Sequence, residues 1–511
     1  MTSYTTRYAS ALRDITEHKK EFRTDAMTVP AIFHCSDAMM PGDETLRQIE
    51  SVACNDCLFH HTAAMIDVHS KPGRKNATGT TVVSEHHILP QVNDSDPVCG
   101  MRLVRTGLNE RNTTPEEIDR LFRALTDVVP TKRLVGTKVP YDVVLDICAR
   151  GTGALIEHMG IATHNELTNS MSGGNFFGEP VSRRRVLDVI PQLFLRVATY
   201  RLGLLGAAGN HFLDLMKITD LIDPDIARAF NLSVGDYVFL IHTGSGLLGQ
   251  YTMYMYTPKK REHLSQSLMV ALGRMTFRSQ KKRVFRRLQR RLDAALRTEK
   301  HDPHSPLFTY DGDSLEGRMY MDARAAASNF GVANRAMITH LIAQTIHSVL
   351  GREAEMDLLY DMPHIDIARE THYDREVWVH RNGTSRAFGP SRMAHHPLFS
   401  QTGEVAFVPS SMSTAAYIGV GTDENESSFY SSSHGTGKPR DLDKNAAPKN
   451  REELMKKVAE HGVKLYNARS SKTVEQDASQ YKSVEQAVED ITANNVLRMV
   501  AKMHPVAVIM Y

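Results

Sequence analysis

Apolar runs closed by a polar or glycine-containing turn recur along the chain. "TVPAIFHCS" (28–36) and "GTTVVSEHHILPQV" (79–92) predict short strands. "VGDYVFLIHTGSG" (234–246), "EVWVHRNGTSRAF" (376–388) and "EVAFVPSSMSTAAYIGVG" (404–421) predict strands running into turns, a geometry that presents side chains at the strand end. "TPEEIDRLFRALTDVV" predicts a helix opened by Thr114, with Glu116 and Glu117 in its first turn. Strands and helices are interleaved, and no period of about 20–50 residues recurs, which excludes a solenoid or propeller. Two stretches stand apart. In "RSQKKRVFRRLQRRLDAALR" (278–297), Val284, Leu288, Leu292 and Ala295 predict one helical face, with Arg and Lys over the rest and only Asp293 against them. Residues 422–450 are polar and irregular, and predict a long loop.

Composition narrows the class. The chain has 511 residues, 41% hydrophobic and 23% charged, with a net charge of +2, so any basic surface must be local. No apolar run spans a membrane, since "QLFLRVATYRLGLLGAAGN" is broken by Arg196 and Arg201. The start, "MTSYTTRYASALRDITEHKK", has no apolar signal core, and a cytoplasmic protein is expected. The 5 cysteines make no disulfide framework.

Histidine, at 24 residues, is the unusual component. Cys54, Cys57, His60 and His61 have zinc-like spacing but no second pair nearby. Asp96 and Cys99 lie at i and i+3 between Pro97 and Gly100, so carboxylate and thiol share a tight turn. Asn210–His211, His242 and His364 each stand beside a glycine, proline or turn signal. One Cys, one Asp and three His on turns make a two-metal site, suited to manganese, iron, cobalt or zinc. "SSSHGTGKPR" (431–440) ends in Gly-Lys but is no phosphate-cradling P-loop: Ser432 replaces the first glycine and Pro439 the metal-binding hydroxyl. His434 is then either an exposed loop residue or a side chain delivered to a site made elsewhere.

In order, the blocks "DVH" (67–69), "DPVCGMRLVRT" (96–106), "GNHFLDL" (209–215), "IHTGSGLLG" (241–249), "EGRMYMDARAAASNFGVANR" (316–335), "YDMPHIDIA" (360–368), "VHRNGTSRAF" (379–388), "SMSTAAY" (411–417), "HGTGK" (434–438) and a closing "YKSVEQAVED…VAVIM" resemble the RtcB family of RNA-splicing ligases. The resemblance implies an α+β fold: a single large catalytic domain of mixed sheets with packed helices over 1–511, with a basic helical insertion at 259–315 and a loop at 422–450 carrying the nucleophile. It also implies joining of an RNA 3′-phosphate or 2′,3′-cyclic phosphate to a 5′-hydroxyl, using GTP and two Mn²⁺ per site. His434 would be the catalytic nucleophile that is guanylylated. Cys99 would bridge the metals, Asp96 and His211 completing one, His242 and His364 the other. Asn210, Phe212, Asp214, Ser411, Gly435, Thr436, Gly437 and Tyr481 would hold the nucleotide with His434. Asp67, Arg381, Lys438, Arg440, Arg286 and Arg290 are the candidate RNA contacts. A monomer or weak oligomer without a membrane partner is expected.

Departures fall on the anion-binding side. The family usually has arginine at Gly246, lysine at Asn382, arginine at Lys438, glutamate at Asp214, a lysine at Met510 and glycines at Ser410 and Ser413. Glycine and methionine supply no charge, which implies a weaker hold on RNA ends and a weaker requirement for guanine. The rival reading is a dinuclear metal phosphoesterase that opens cyclic phosphates without guanylylation. A catalytically dead RNA-binding protein is a third, and is disfavoured because an intact ligand set has no structural need.

Overall fold

The computed structural model describes residues 4–93, 96–131, 136–206, 210–302, 305–441, 446–467 and 471–510. The fold is α+β, with 14 α-helices among the described residues and two large mixed sheets. The eight-stranded sheet centres on Gly100–Asn109, Asp236–Thr243, Phe212–Leu221 and Leu497–Met510, each antiparallel to the next. Tyr237, Phe239 and Ile241 enter one apolar cluster, and Val238 and Leu240 enter the other. Both faces of the strand are therefore buried, which is why its sequence is continuously apolar rather than alternating.

The seven-stranded sheet ends in Thr62–His69, Thr78–Ser84, Arg375–Asn382 and Ile365–His372. The chain crosses between the sheets at a single residue, His364, with Asp357–Pro363 in one and Ile365–His372 in the other. Backbone hydrogen bonds pin this corner. His364 N donates to Cys99 O (2.9 Å), and Gly383 and Thr384 N donate to His364 O (2.8 and 3.1 Å).

The helix Leu315–Leu350, 36 residues long, packs against the eight-stranded sheet. Ser314 caps its first turn by accepting from Gly317 N, and Gly351 (φ 68°) ends it in the left-handed conformation. The helix buries Arg335 completely. Its guanidinium donates to Val98 O (2.9 Å), to Thr243 O (2.8 Å) and to the Asp361 carboxylate (3.0 Å). Asp361 also accepts from Arg102 (3.2 Å), which in turn pairs with Glu166.

The helix opened by Thr114 runs Pro115–Val128, with a full capping box between Thr114 and Glu117. The basic stretch forms the helix Lys282–His301, but its buried face is Phe285, Leu288, Gln289 and Leu292, not the Val284/Ala295 face expected. Phe285 displaces Val284 because it stacks on Phe277 at 3.7 Å. Nor is Asp293 the basic face's only acid: Glu316 of the long helix takes Arg287 (2.9 Å) and Arg291. Within 422–450, Ser431–Ser433 is a buried strand antiparallel to Thr384–Arg386 rather than loop; residues 442–445 lie outside the described set. Two of the strand's three serines find local acceptors, Ser431 Oγ bonding Phe429 O at 3.1 Å and Ser432 Oγ bonding Ser433 O at 3.4 Å.

Removing Asp361 would leave two buried guanidinium groups short of their shared carboxylate. Asp361→Ala should lower stability by about 3–5 kcal/mol in urea unfolding. A loss below about 1 kcal/mol would show that the carbonyl contacts of Arg335 suffice.

Candidate active site

Strand ends converge where the two sheets meet. Cys99 immediately precedes Gly100–Asn109, His211 precedes Phe212–Leu221, and His242 lies at the end of Asp236–Thr243, paired directly with Phe212 and Met101. Cys99 Sγ is 3.4 Å from His211 Nε2 and 3.4 Å from His242 Nε2, and the three donors lie within 4.8 Å of one another. His364 Nε2 reaches His242 Nε2 at 3.0 Å from the corner. Asp96, one turn away, is not in that cluster. Its carboxylate accepts from Ser245 Oγ (2.5 Å) and Gly246 N (3.1 Å).

The donors suit a metal ion. His211 Nδ1–H donates to Leu205 O (2.9 Å), which fixes the tautomer with Nε2 bare toward Cys99. Burial lowers the His211 imidazole to about 4 and, joined by neighbouring imidazoles, holds His242 and His364 well below the usual range, so all three are neutral, the form in which an imidazole can bind a metal. Burial, and then the Asp96 charge, push the Cys99 thiol up, and burial raises Asp96 to about 6. A cation reverses both effects, since a coordinating thiol loses its proton. One thiolate with imidazoles and a nearby carboxylate is a set for a borderline divalent ion. By contrast, Cys54 is exposed and Cys57 half-buried, and His61 is committed to Ser427 O at 2.7 Å.

His434 follows the strand Ser431–Ser433 and stacks on His364, with ring centroids 4.4 Å apart and planes 6° apart. Its Nδ1 lies 2.6 Å from Gly383 O and 2.6 Å from Asp67 Oδ2. Both neighbours are acceptors, so Nδ1 carries the proton and the Nε2 lone pair is left available. Asp67, fully buried, is therefore a partner of His434 and not an RNA contact as expected. Two glycines permit this approach. At Gly383 (φ 71°) a Cβ would press on Thr78 and lie 3.2 Å from His434 Cε1, and at Gly437 (φ 72°) it would strike the Asp67 backbone at 2.5 Å. The second glycine of "HGTGK" is thus a packing requirement of Asp67.

These groups open on a cavity of about 390 Å³. Asn210, Phe212, His434, Gly435, Thr436, Gly437, Lys438 and Tyr481 line it, as does Met510. The Lys438 ammonium sits 3.9 Å above the Tyr481 ring and donates to Glu475 O (2.9 Å). Ser411 does not line it: its hydroxyl is taken by Thr414 (3.0 Å), and Ser410, bonded to Thr436 Oγ1 (2.9 Å), stands on the wall instead. Asp214 shares the Phe212 face of its strand but lies one step further from the strand end, buried, with Oδ1 unpartnered and its carboxyl raised well above the usual range by burial. Arg381 is not an RNA contact: it is 1% exposed, with its guanidinium spent on Glu370 (2.6 and 2.9 Å) and Ser431 Oγ. Arg440 is held by Asp37 O (3.1 Å) over the Tyr4 ring, off the cavity wall. His69, the last residue of the "DVH" block, also lines the cavity, as do Lys71 and the Glu475–Gln476 pair, which no local motif marks in the sequence.

The family model described as tRNA-splicing ligase RtcB matches residues 48–511. The chain belongs to the RtcB family. It is 29% identical over 427 residues to the tRNA-splicing ligase RtcB of Pyrococcus horikoshii, covering 80% of this chain but only 44% of that protein. It is 27% identical over 500 residues to the tRNA-splicing ligase RtcB of Thermococcus kodakarensis, covering 94% of this chain and 95% of that one. With that of Aeropyrum pernix the identity is 26% over 505 residues, covering 94% and 95%. Among the described residues no helix is long and apolar enough to cross a membrane.

The donor set of this RtcB-family chain can be tested without turnover. Loaded with Co²⁺, the protein should show thiolate-to-metal absorption that Cys99→Ala abolishes and His434→Ala leaves in place. Equal absorption in Cys99→Ala would remove the thiol from the site.

Proposed function

We propose that the chain is an RNA ligase dependent on GTP and manganese, joining 3′-phosphate or 2′,3′-cyclic phosphate ends to 5′-hydroxyl ends through a guanylylated His434, in tRNA splicing or RNA repair. Family membership and the printed names of the relatives support an RNA ligase. The observation that carries the chemistry is the fixed tautomer of His434, with Nδ1–H donating to Gly383 O, the Asp67 carboxylate 2.6 Å from the same nitrogen, and Nε2 left unprotonated on a residue that lines the cavity. In the proposed sequence Nε2 attacks the α-phosphorus of GTP, an N–P bond forms, the bond to the β-phosphate oxygen breaks, and pyrophosphate leaves. Imidazole gains positive character in that step, and the buried Asp67 carboxylate stabilises it. A 2′,3′-cyclic end is first opened by water to the 3′-phosphate; an oxygen of that phosphate then takes GMP as the N–P bond breaks, and the 5′-hydroxyl attacks the activated phosphate, releasing GMP and giving its proton to solvent. Metal held by Cys99, His211, His242 and His364, with Asp96 turning inward, would supply charge neutralisation on the phosphates. Lys438 and Tyr481 stand where a nucleotide would meet a cation and a ring face. The exposed Arg286 and Arg290 of Lys282–His301 are the proposed backbone contacts on the basic helix.

Incubation with α-labelled GTP and Mn²⁺, followed by a denaturing gel, should give a label stable to alkali and lost in mild acid, because protonating the nitrogen makes imidazole a good leaving group. His434→Ala should abolish it, and Asp67→Asn should slow its formation about 10–100-fold. If no label forms while a cyclic phosphate is still opened, the chain is a phosphoesterase.

A second expectation is pH dependence. Burial lowers the Lys438 ammonium to about 8, so it is charged below that pH and neutral above it. Affinity for GTP should fall as pH rises through about 8, and Lys438→Arg should flatten that fall. A wild-type profile flat from pH 7 to 9 would show that Lys438 makes no phosphate contact.

A further inference from the structure

A second cavity, about 730 Å³ in volume, lies between the helix Asp43–Ala53, the turn at residues 73–75 and the helical insertion. Eight lysines and arginines line it against three carboxylates. That surplus of five exceeds the net charge of +2 of the entire chain. The carboxylates are moreover engaged: Glu44 by Arg47 (2.6 Å), Asp293 by Arg274 (2.7 Å) and Glu299 by Gln91 (2.9 Å). Burial lowers Lys75 and, with the nearby Arg274 charge, Arg261, as happens where cations crowd a partly dry wall.

The cavity continues into a track. Arg286, Arg290, Arg297 and Lys300 are all exposed and share one face of Lys282–His301. At about 1.5 Å per residue that face is about 21 Å long, too long for one small anion. Its inner end is where Arg297 and Lys300 line the second cavity, and that cavity approaches the first at one turn. Lys71 lines the first cavity and Gly73 the second, so their Cα atoms are at most about 7 Å apart. Gln48 pins the turn between them by donating to Lys71 O (2.9 Å) and Arg74 O (3.2 Å).

We infer that the second cavity and the basic face leading from it hold the phosphate backbone of an RNA strand whose terminus lies at His434. This rests on the RNA-ligase reading, and it adds a site made by the insertion and the Asp43–Ala53 helix. Lys260, Arg297 and Lys300 are exposed on its wall, so their replacement spares the core.

The test is binding of a labelled single-stranded oligoribonucleotide ending in a 3′-phosphate to the triple variant Lys260→Gln, Arg297→Gln, Lys300→Gln, with the melting temperature as a check on folding. Affinity should fall at least about tenfold, and the slope of log affinity against log salt should flatten by about 2, roughly 0.7 for each phosphate that the variant leaves unneutralised. Binding of a dinucleotide 3′-phosphate and labelling by GTP should stay as in the unaltered protein. A matched triple variant at Arg13, Arg184 and Arg228, which line neither cavity, should bind like the unaltered protein. Unchanged affinity and slope, or an equal loss in the matched variant, would overturn the proposal. If the unaltered protein takes no label from GTP yet its strand binding still depends on Lys260, Arg297 and Lys300, the ligase reading falls and the RNA track stands.

Discussion

One buried guanidinium ties the site together. Arg335 reaches from the middle of the long helix to Val98 O and Thr243 O, the residues beside Cys99 and His242, and closes on Asp361. A buried arginine is tolerated only when nearly every N–H is used, because the cost of taking its charge from water otherwise exceeds the pairing energy. Here full use means that two strand ends have one permitted separation. Cys99 and His242 are thereby held at 3.4 Å, with the ladder pairing of Gly100 with Thr243 and of Met101 with His242 fixing the same two strand ends. Arg102, on Glu166 and on the other side of Asp361, makes that carboxylate rigid in turn.

The second constraint is the crossing at His364. A strand that leaves one sheet and enters the other must turn within a residue, and the turn is held by Cys99 O on one side and the amides of Gly383 and Thr384 on the other. The same Gly383 then accepts from His434. Metal donors and candidate nucleophile are therefore coupled through backbone: shifting the corner would move Cys99, His364 and His434 together. The stacked His364 and His434 rings are a consequence of that shared anchorage.

Local pattern made the strands at 79–92, 234–246 and 404–421 legible, together with the capped helix after Thr114, because each needs only nearest-neighbour chemistry. The blocks holding Cys99, His211, His242, His364 and His434 were legible as an ordered series. What escaped depends on distant partners. Arg381 reads as an exposed base until Glu370 is placed beside it, and Asp67 reads as a phosphate-side residue until His434 folds onto it. Arg335 was hidden because its helix is buried nearly all round, which erases the one-sided pattern that marks a packed face. "SSS" before His434 looked like loop because serine has low strand preference, yet the Ser431 hydroxyl is satisfied inside the fold by Arg381 and Phe429 O.

The charge distribution follows from the same separation of roles. Gly246, Asn382 and Met510 are uncharged, and Asn382 is buried, donating to Ala77 O at 3.1 Å. On the helix Lys282–His301, Arg287 and Arg291 are consumed in docking onto Glu316, while Arg286, Arg290, Arg297 and Lys300 face solvent. Docking and the solvent-facing cations thus use different faces of one helix. A rigid attachment through Phe285, Leu288 and Leu292 keeps the solvent-facing set in register with the turn at Lys71 and Gly73, and hence with His434. Electrostatic hold on a long strand can then be strong even where the pocket for its last phosphate has fewer charges, because each backbone phosphate that is neutralised contributes separately to counterion release.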